Sequence, residues 1–143
     1  MSYPRGVATA RGWDTLVKTL ARPGLTFLPW WEAFTPGREL LAELDSIRGR
    51  VDGALLLFTP DSKAMIHGRS VNIPNLNVLF EFGYFYGHFG PHRVGMVRYG
   101  KIYLPSDFGG YIYISGSGTF RQAAASAVSA RIVGDFNRWV EGL

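Results

Sequence analysis

Cysteine is absent from this 143-residue sequence, which excludes disulfide bonds, thiol catalysis and zinc sites built on cysteine. Long apolar runs are absent too, because the longest, around Ala54–Phe58, is far too short to cross a membrane. The N-terminus also lacks the apolar segment that is typical of a signal peptide. We therefore expect a cytoplasmic protein that does not associate with a membrane.

Clusters of one charge sign are missing as well. The formal net charge is +4 and the isoelectric point is about 9.6, but the basic residues are scattered along the chain. No basic run with interleaved aromatic residues indicates a nucleic-acid groove, so nucleic acid is not an expected partner. The three histidines, His67, His88 and His92, show no metal-ligand spacing, and we expect no bound metal. Length and a hydrophobic content of 47% indicate one globular domain over residues 1–143.

Apolar runs of strand length alternate with helical patterns along the chain. Helices are predicted at 11–21, 36–47 (with Thr35 as N-cap), 75–89 and from 117 or 119 to about 140. Strands are predicted at 25–31, 52–58, 93–99, 101–104 and 111–115. Residues 62–74 are predicted to form a long polar loop. This alternation is typical of an α/β fold with a parallel sheet flanked by helices.

The helix predicted over Asn75–Phe89 organises the rest of the chain. It is apolar on almost every side, which indicates a buried helix. Its one carboxylate, Glu81, should therefore be paired, protonated or lining a cleft, because a buried unpaired carboxylate is costly. Gly83 and Gly87 lie four residues apart on one face, and we expect them to permit close packing on the sheet.

Three segments follow predicted strands, namely residues 30–37, 59–77 and 105–110. Ligands of open α/β sheets bind at the carboxyl ends of the strands, so we expect one site among these segments. Trp30, Trp31 and Phe34 are candidates to stack on a flat ring, although aromatic residues at a strand end also serve the core. Asp107 is either a site residue or a turn-forming residue.

Two motifs carry a family resemblance. Asn77-Val-Leu-Phe-Glu-Phe-Gly83, followed by a strand and then Leu104-Pro-Ser-Asp-Phe-Gly-Gly110, resembles the bacterial TIR-like predicted nucleotide-binding family. Members of that family include effector domains of cyclic-nucleotide antiphage systems. Trp31, Phe34 and Pro36-Gly37 after the second strand, and Phe58–Asp61 at the end of the third, are similar to the family as well. The match extends from about Trp13 to Leu143.

The resemblance implies a flavodoxin-like TIR fold and cleavage of NAD at the nicotinamide–ribose bond, in an antiphage effector. It implies that Glu81 is the catalytic residue and that Asp107 is a site residue. Trp31, Phe34, Asn77 and Asp61 lie in or beside the matching motifs and are further candidates for binding substrate. NAD or a related nucleotide would be the substrate, with no separate cofactor. A homo-oligomer and a sensor protein are the partners that the resemblance implies.

This chain departs from the family pattern at two places. The family begins with an apolar strand, which is central in the sheet, and residues 1–10 do not clearly supply one. We therefore expect a first strand that is missing or degenerate, as in a truncated chain, with residues 1–10 disordered or a remnant. Its loss would leave a gap of about 10 Å in the sheet, so we expect an oligomer unless residues 1–10 pair despite their composition. The second departure is an absent arginine before the helix asparagine, which Arg69 or Lys63 would have to replace.

The proposed chemistry makes a minimal demand on the protein. Nicotinamide leaves a pyridinium as a neutral molecule, so no general acid is needed, and one carboxylate can stabilise an oxocarbenium-like transition state. Glu81 can instead be a structural residue bonded to the backbone or to an arginine. Two other functions stay open: a non-catalytic nucleotide-binding or assembly module, favoured if the first strand is absent, and a nucleoside 2-deoxyribosyltransferase-like enzyme, in which Glu81 would be a covalent nucleophile.

Overall fold

The computed structural model describes residues 5–9, 18, 20–29, 35–106, 114–115 and 130–143. In chain order, its elements are β1 (Arg5–Thr9), β2 (Leu25–Pro29), α1 (Leu40–Arg48), β3 (Gly53–Phe58), β4 (Ser62–Ile66), β5 (Arg69–Ile73), α2 (Leu76–Phe89), a short 3-10 helix (Pro91–Arg93), β6 (Val94–Arg98), β7 (Ile114–Ser115) and α3 (Ala130–Glu141).

A parallel sheet forms the centre of the fold. Its strand order is β2-β1-β3-β6-β7, and each neighbouring pair is parallel. If the strands of this sheet alone are counted, the order is 2-1-3-4-5, which is the flavodoxin-like order. The prediction of an α/β fold with a parallel sheet flanked by helices is therefore confirmed. The carboxyl ends of its strands meet at one edge, called the carboxyl edge below.

The expectation that the first strand is missing is wrong. Arg5–Thr9 forms β1 at the centre of the sheet, where Val7 pairs with Phe27 of β2 and with Gly53 of β3. The alternative, that residues 1–10 pair despite their composition, is what the structure shows. A position between two strands supplies main-chain partners on both sides, and this context outweighs weak strand propensity. No strand-wide gap remains between β2 and β3.

Helices cover both faces of the sheet. All six residues of β3 are buried, as predicted for a strand covered on both sides. Phe58 of β3 packs edge-on against Phe82 of α2, with ring centroids 5.6 Å apart. On the other face, a Cβ atom on Gly53 would lie 2.9 Å from Leu143, just beyond α3. The alternation of β3 thus turns one set of side chains to α2 and the other to α3.

The prediction of a long polar loop over residues 62–74 is wrong. This segment is an antiparallel hairpin, in which β4 pairs with β5 from Ser62↔Ile73 to Ile66↔Arg69. The two turn residues, His67 and Gly68, have φ angles of 49° and 74°, as in the type I′ turns that fit the twist of a hairpin. In β5 the apolar Val71 and Ile73 alternate with the polar Ser70 and Asn72, and that pattern of period two was the missed signal.

Several predicted boundaries move. Helix α1 begins at Leu40 rather than Pro36, and its N-cap residue is Glu39 rather than Thr35. Gly37 has a φ of 84°, which a right-handed helix does not permit. The short strand predicted at 101–104 is not formed, since these residues are irregular. The helix predicted at 11–21 and the region 116–129 lie largely or wholly outside the described residues.

Helix α2 confirms the prediction for residues 75–89, but it is not buried on every side. Leu76 is 67% exposed and Phe80 is 51% exposed. Among the described residues, a Cβ atom on Gly83 or Gly87 would meet no heavy atom within 4 Å beyond its own helix backbone and chain neighbours. The expectation that these glycines allow close packing on the sheet is therefore wrong, because they face away from it.

Candidate functional site

Capping residues fix the start and end of α2, and so the position of Glu81 along the helix. Asn75 is the N-cap, and its side-chain oxygen accepts a hydrogen bond of 2.8 Å from the backbone N–H of Asn77. Gly90, with a φ of 81°, follows the last helical residue. These ends place Glu81 in the second turn of α2, close to the carboxyl edge from which the helix starts.

One side of α2 faces α1. Tyr84 donates a hydrogen bond to Asp45, and the Arg48 Nη1 atom lies 3.2 Å from the His88 Nδ1 atom. Since arginine can only donate, His88 must accept at Nδ1 and carries its proton on the other ring nitrogen. Burial and the hydrogen bond to Asp45 raise the pKa of Tyr84 to about 12. These contacts hold α1 and α2 side by side and parallel.

Glu81 lies on the side of α2 that is turned to α1. Asn77, Glu81, Tyr84 and His88 follow the spacing of one helix side, and the last two contact α1. Residues in contact across the two helices differ by 39 or 40 in number. The same offset places Leu41 of α1 level with Phe80 and Glu81. Glu81 therefore lies beside the groove between the two helices, about one turn nearer the carboxyl edge than the Asp45–Tyr84 bond.

The environment of Glu81 is apolar. The residue is 8% exposed, and in the described part of the chain it has no hydrogen bond or ion pair. Burial raises the pKa of Glu81 from an ordinary value of 4.5 to about 7. Of the three predicted states, paired, protonated or lining a cleft, the paired state is not found among the described residues. Near neutral pH the side chain is divided between the acid and the carboxylate.

Asp61 and Asn77 lie at the same edge of the sheet as the start of α2. Asp61 comes three residues after the end of β3, and its backbone N–H donates to the carbonyl oxygen of Ile73 over 3.0 Å. This bond closes the base of the hairpin that leads into α2. Both side chains are exposed. The structure thus brings Asp61, Asn77 and Glu81 to one region.

Trp31, Phe34 and Asp107 lie outside the described residues, as does Trp30. Their predicted roles in binding substrate therefore stay predictions. The structure does describe residues 99–106, which connect β6 to Asp107 along the chain.

Two residues that contact the segment after β6 were not predicted from the sequence. Arg98 is the last residue of β6, and Asn72 lies on β5 in the segment that was predicted to be a loop. Both bond to main-chain carbonyl groups of residues 100–102. Recognition of the hairpin would have placed Asn72 beside a strand end, but nothing in the sequence marks Arg98 out from other strand-end arginines.

In the ranges that the structure describes, no group of three or more histidine, aspartate or glutamate residues is placed to hold a metal ion. Likewise, none of the helices in these ranges has both the length and the apolar composition that crossing a bilayer requires.

A parallel sheet in flavodoxin-like order, with a buried glutamate on the helix that follows its third strand, defines an α/β domain of the TIR type. Comparison with known proteins agrees, because residues 7–117 match the family described as "CAP12/Pycsar effector protein, TIR domain". That match covers well over half of the chain. The chain therefore belongs to this family of TIR-domain effectors of bacterial antiphage systems.

Individual relatives are about one-third identical to this chain over the residues that align. Uncharacterized protein YuaY of Escherichia coli is 32% identical over 70% of this chain and 34% of its own length. CD-NTase-associated protein 12 of Sphingobacterium faecium is 32% identical over 58% of this chain and 26% of its own length. Protein tirC of Dictyostelium discoideum is 32% identical over 71% of this chain and 57% of its own length. The chain thus spans only part of each of these relatives.

Proposed function

We propose that this chain hydrolyses NAD at the nicotinamide–ribose bond and that Glu81 is its catalytic residue. The observation that carries the proposal is the state of Glu81, a buried carboxyl group without a partner among the described residues, on the helix that starts at the carboxyl edge. A structural glutamate in such a place would be expected to have a hydrogen-bond or ion-pair partner. An uncompensated carboxyl group at a site is instead typical of catalysis.

The reaction requires one negative charge beside the ribose ring. The bond between nicotinamide N1 and ribose C1′ breaks, and its electron pair goes to N1, which neutralises the pyridinium. Positive charge then develops on the ribose ring, where the Glu81 carboxylate stabilises it or holds the ribose hydroxyls. Water bonds to C1′ and loses a proton, so the products are nicotinamide, ADP-ribose and one proton.

Glu81→Gln tests the assignment, because the change keeps the shape of the side chain and removes its charge. We expect nicotinamide release from NAD to fall at least about a hundredfold, the scale of losing one electrostatic contact to a transition state. The folded fraction, measured by circular dichroism, should stay unchanged. Full activity of the Gln variant would contradict the role of Glu81. Glu141→Gln is a matched control, since it makes the same chemical change at an exposed position at the end of α3.

The reaction should also report the ionisation of Glu81. Only the carboxylate can stabilise a cation, so kcat should rise as the pH passes through about 7 and should not fall again at higher pH through loss of a general acid. A trapped covalent adduct on Glu81 with a 2-fluoro nucleoside would instead identify a deoxyribosyltransferase-like nucleophile. The case for a non-catalytic module weakens, because it depended on the absence of the first strand, which the structure contains as β1.

In the cell, we propose that this activity serves antiphage defence through depletion of NAD. The name of the CD-NTase-associated relatives supports a setting in which a nucleotide signal or a sensor protein controls the domain. Association into homo-oligomers belongs to the same proposal.

A further inference from the structure

One face of α2, called the outer face below, points away from the sheet and consists of Leu76, Phe80, Gly83 and Gly87. Their spacing of four, three and four residues is that of one helix side. Leu76 is 67% exposed and Phe80 is 51% exposed. Both glycines are exposed as well. Soluble monomers rarely leave an apolar face of this kind uncovered, and it is typical of an interaction surface.

The outer face offers a partner no charge to recognise. Within α2, which the structure describes in full, Glu81 is the one carboxylate and is buried, and His88 contacts Arg48 of α1. Leu41 of α1 is 44% exposed and lies level with Phe80, so it extends the apolar surface. A charged peptide or a nucleic acid would find no complementary group here. Shape must therefore select the partner.

The outer face has large side chains at one end and open space at the other. Leu76 and Phe80 lie in the first half of α2, and the two glycines lie in the second half. The midpoint of positions 76 and 87 is also the midpoint of positions 80 and 83, between residues 81 and 82. A second α2 that lies antiparallel about this point would place each large side chain opposite a glycine, in both directions.

We propose that a second copy of this chain binds the outer face of α2, with the two helices antiparallel about a two-fold axis. Leu76 then opposes Gly87 of the partner subunit, and Phe80 opposes Gly83 of the partner subunit. Such a surface is self-complementary, as an isologous contact requires. A parallel pair would set Phe80 against Phe80 and leave the glycines facing each other. The shallow crossing angle of about 20° that many helix pairs adopt would keep both contacts together.

The size of the surface predicts a weak pair. The 14 residues of α2 span about 21 Å, and a helix side about 10 Å wide covers about 200 Å², against about 800 Å² per partner in a stable complex. Leu41 adds to this area without closing the difference. The pair should therefore form at high protein concentration. The inference rests on the proposed function only for the existence of a homo-oligomer, and it does not depend on NAD cleavage.

Disulfide cross-linking tests the alignment, because the chain has no cysteine of its own. In the antiparallel pair, position 76 lies opposite position 87, but the two copies of position 76 lie about 17 Å apart along the helices. A disulfide cannot span that distance. We expect a 1:1 mixture of Leu76→Cys and Gly87→Cys to form a covalent dimer under mild oxidation, while each variant alone stays largely monomeric.

Met65→Cys supplies the rate of random collision, because Met65 is 69% exposed and lies on the hairpin. The mixture of Leu76→Cys with Gly87→Cys should cross-link at least about tenfold faster than Leu76→Cys with Met65→Cys. Equal rates in the two mixtures would overturn the proposal. Faster cross-linking of Leu76→Cys with itself would overturn it too, because that product requires a parallel pair.

Gly83→Gln separates the contact from the stability of the chain. Its Cβ atom would meet no described neighbour within 4 Å, and glutamine favours a helix more than glycine does, so the midpoint of thermal unfolding should not fall. The side chain would nevertheless occupy the space that takes Phe80 of the partner subunit. Light scattering on concentrated samples should show a mass that rises above 15.9 kDa for wild type and stays there for Gly83→Gln.

Gly134→Gln is the matched control, since it makes the same change at an open glycine of α3. It should associate as wild type does, and association of Gly83→Gln equal to that of wild type would overturn the proposal. These measurements need no activity. The mixed cross-link without NAD turnover would support the surface while the proposed function fails. Turnover without the mixed cross-link would overturn the surface and leave the proposed function intact.

Discussion

Glu81 makes stability depend on pH in a direction opposite to that of most carboxyl groups. Its pKa rises on folding from 4.5 to about 7, so the folded state holds the proton more tightly than the unfolded chain does. Below pH 4.5 the group is protonated in both states and costs nothing. Between pH 4.5 and about 7 the Glu81 carboxyl group ionises in the unfolded chain but holds its proton in the folded state. The free energy of unfolding therefore falls as the pH rises.

We therefore expect Glu81→Gln to be more stable than wild type above pH 7 and nearly equal to it near pH 4. The size of the change is on the order of 3 kcal/mol, from about 1.4 kcal/mol per pKa unit. Urea unfolding at pH 4, 6 and 8 measures it. Glu141→Gln, at an exposed position, should show no such trend. Equal pH dependence of the Glu81 variant and wild type would mean that Glu81 is not desolvated in the folded protein.

Gly53 is required for a steric reason, because its surroundings leave no room for a side chain. It is buried at the start of β3, and a Cβ atom there would lie 2.6 Å from the carbonyl oxygen of Arg93 and 2.9 Å from Leu143. A main-chain oxygen cannot move as a side chain can, so Gly53→Ala should lower the free energy of unfolding by at least about 1–3 kcal/mol.

Gly134→Ala is the matched control for this prediction. It lies in α3, and in the part of the chain that the structure describes a Cβ atom there would have no heavy atom within 4 Å beyond its own helix backbone and chain neighbours. Alanine should stabilise that helix by about 0.5–1 kcal/mol. A harmless Gly53→Ala in the same chemical denaturation series would show that β3 and β6 do not approach as closely as described.

At the scale of elements, β1 decides whether the sheet is continuous. Val7 pairs with strands on both sides, so Val7→Pro removes a main-chain donor and adds a ring in the middle of the sheet. We expect a loss of at least about 3 kcal/mol in the free energy of unfolding, or a chain that does not fold. Ser2→Pro, before the strand, should have little effect. An unchanged midpoint for Val7→Pro would restore the expectation that residues 1–10 stand outside the sheet.

Elements with strong patterns were predictable from the sequence. The apolar run of β3 and the capped apolar helix α2 carry their own signals, and the order of strands and helices implied the parallel sheet. The strand β1 was not predictable, because its formation depends on two neighbours that are distant in sequence. The hairpin was missed for another reason: only β5 alternates polar and apolar residues, while Ala64, Met65 and Ile66 of β4 are consecutive apolar residues.

The site was predictable only in part. One carboxylate in an apolar helix predicted that Glu81 is buried, and the structure confirms the burial, while its role in catalysis stays a prediction. Its place in the groove between α1 and α2 follows from contacts of Tyr84 and His88 with α1, which depend on how two helices pack. The main-chain bonds of Arg98 depend on the path of a turn. Side-chain identity alone does not specify either arrangement.

At the scale of the molecule, the described part of the site gathers at one edge. Hydrogen bonds join the hairpin to the segment after β6, and the hairpin leads directly into the start of α2. Glu81 at this edge has a raised pKa of about 7, and a ligand that excludes water or brings positive charge would change its ionisation. A pyridinium ring beside Glu81 would favour the carboxylate, so binding of NAD would promote the charged form that the reaction uses.

Association between copies of the chain should control NAD turnover. The family resemblance implies that loops of neighbouring subunits complete or open the site, and the aromatic residues at 30–34 are of the kind enriched at interface anchors. We therefore expect a dilute chain to be nearly inactive and its NAD turnover per chain to rise with concentration or crowding. Phe34→Ala should blunt that rise without loss of folded protein.

The measurement is turnover per chain over about a hundredfold range of protein concentration, with light scattering on the same samples, since association shifts with concentration by mass action. Met65→Ala is a matched control, because Met65 is an exposed apolar residue outside the aromatic segment. A high turnover that does not change with concentration would show that a single chain holds a complete site. An absence of turnover at every concentration, with Glu81 folded into the same groove, would favour a module that binds or assembles without catalysis.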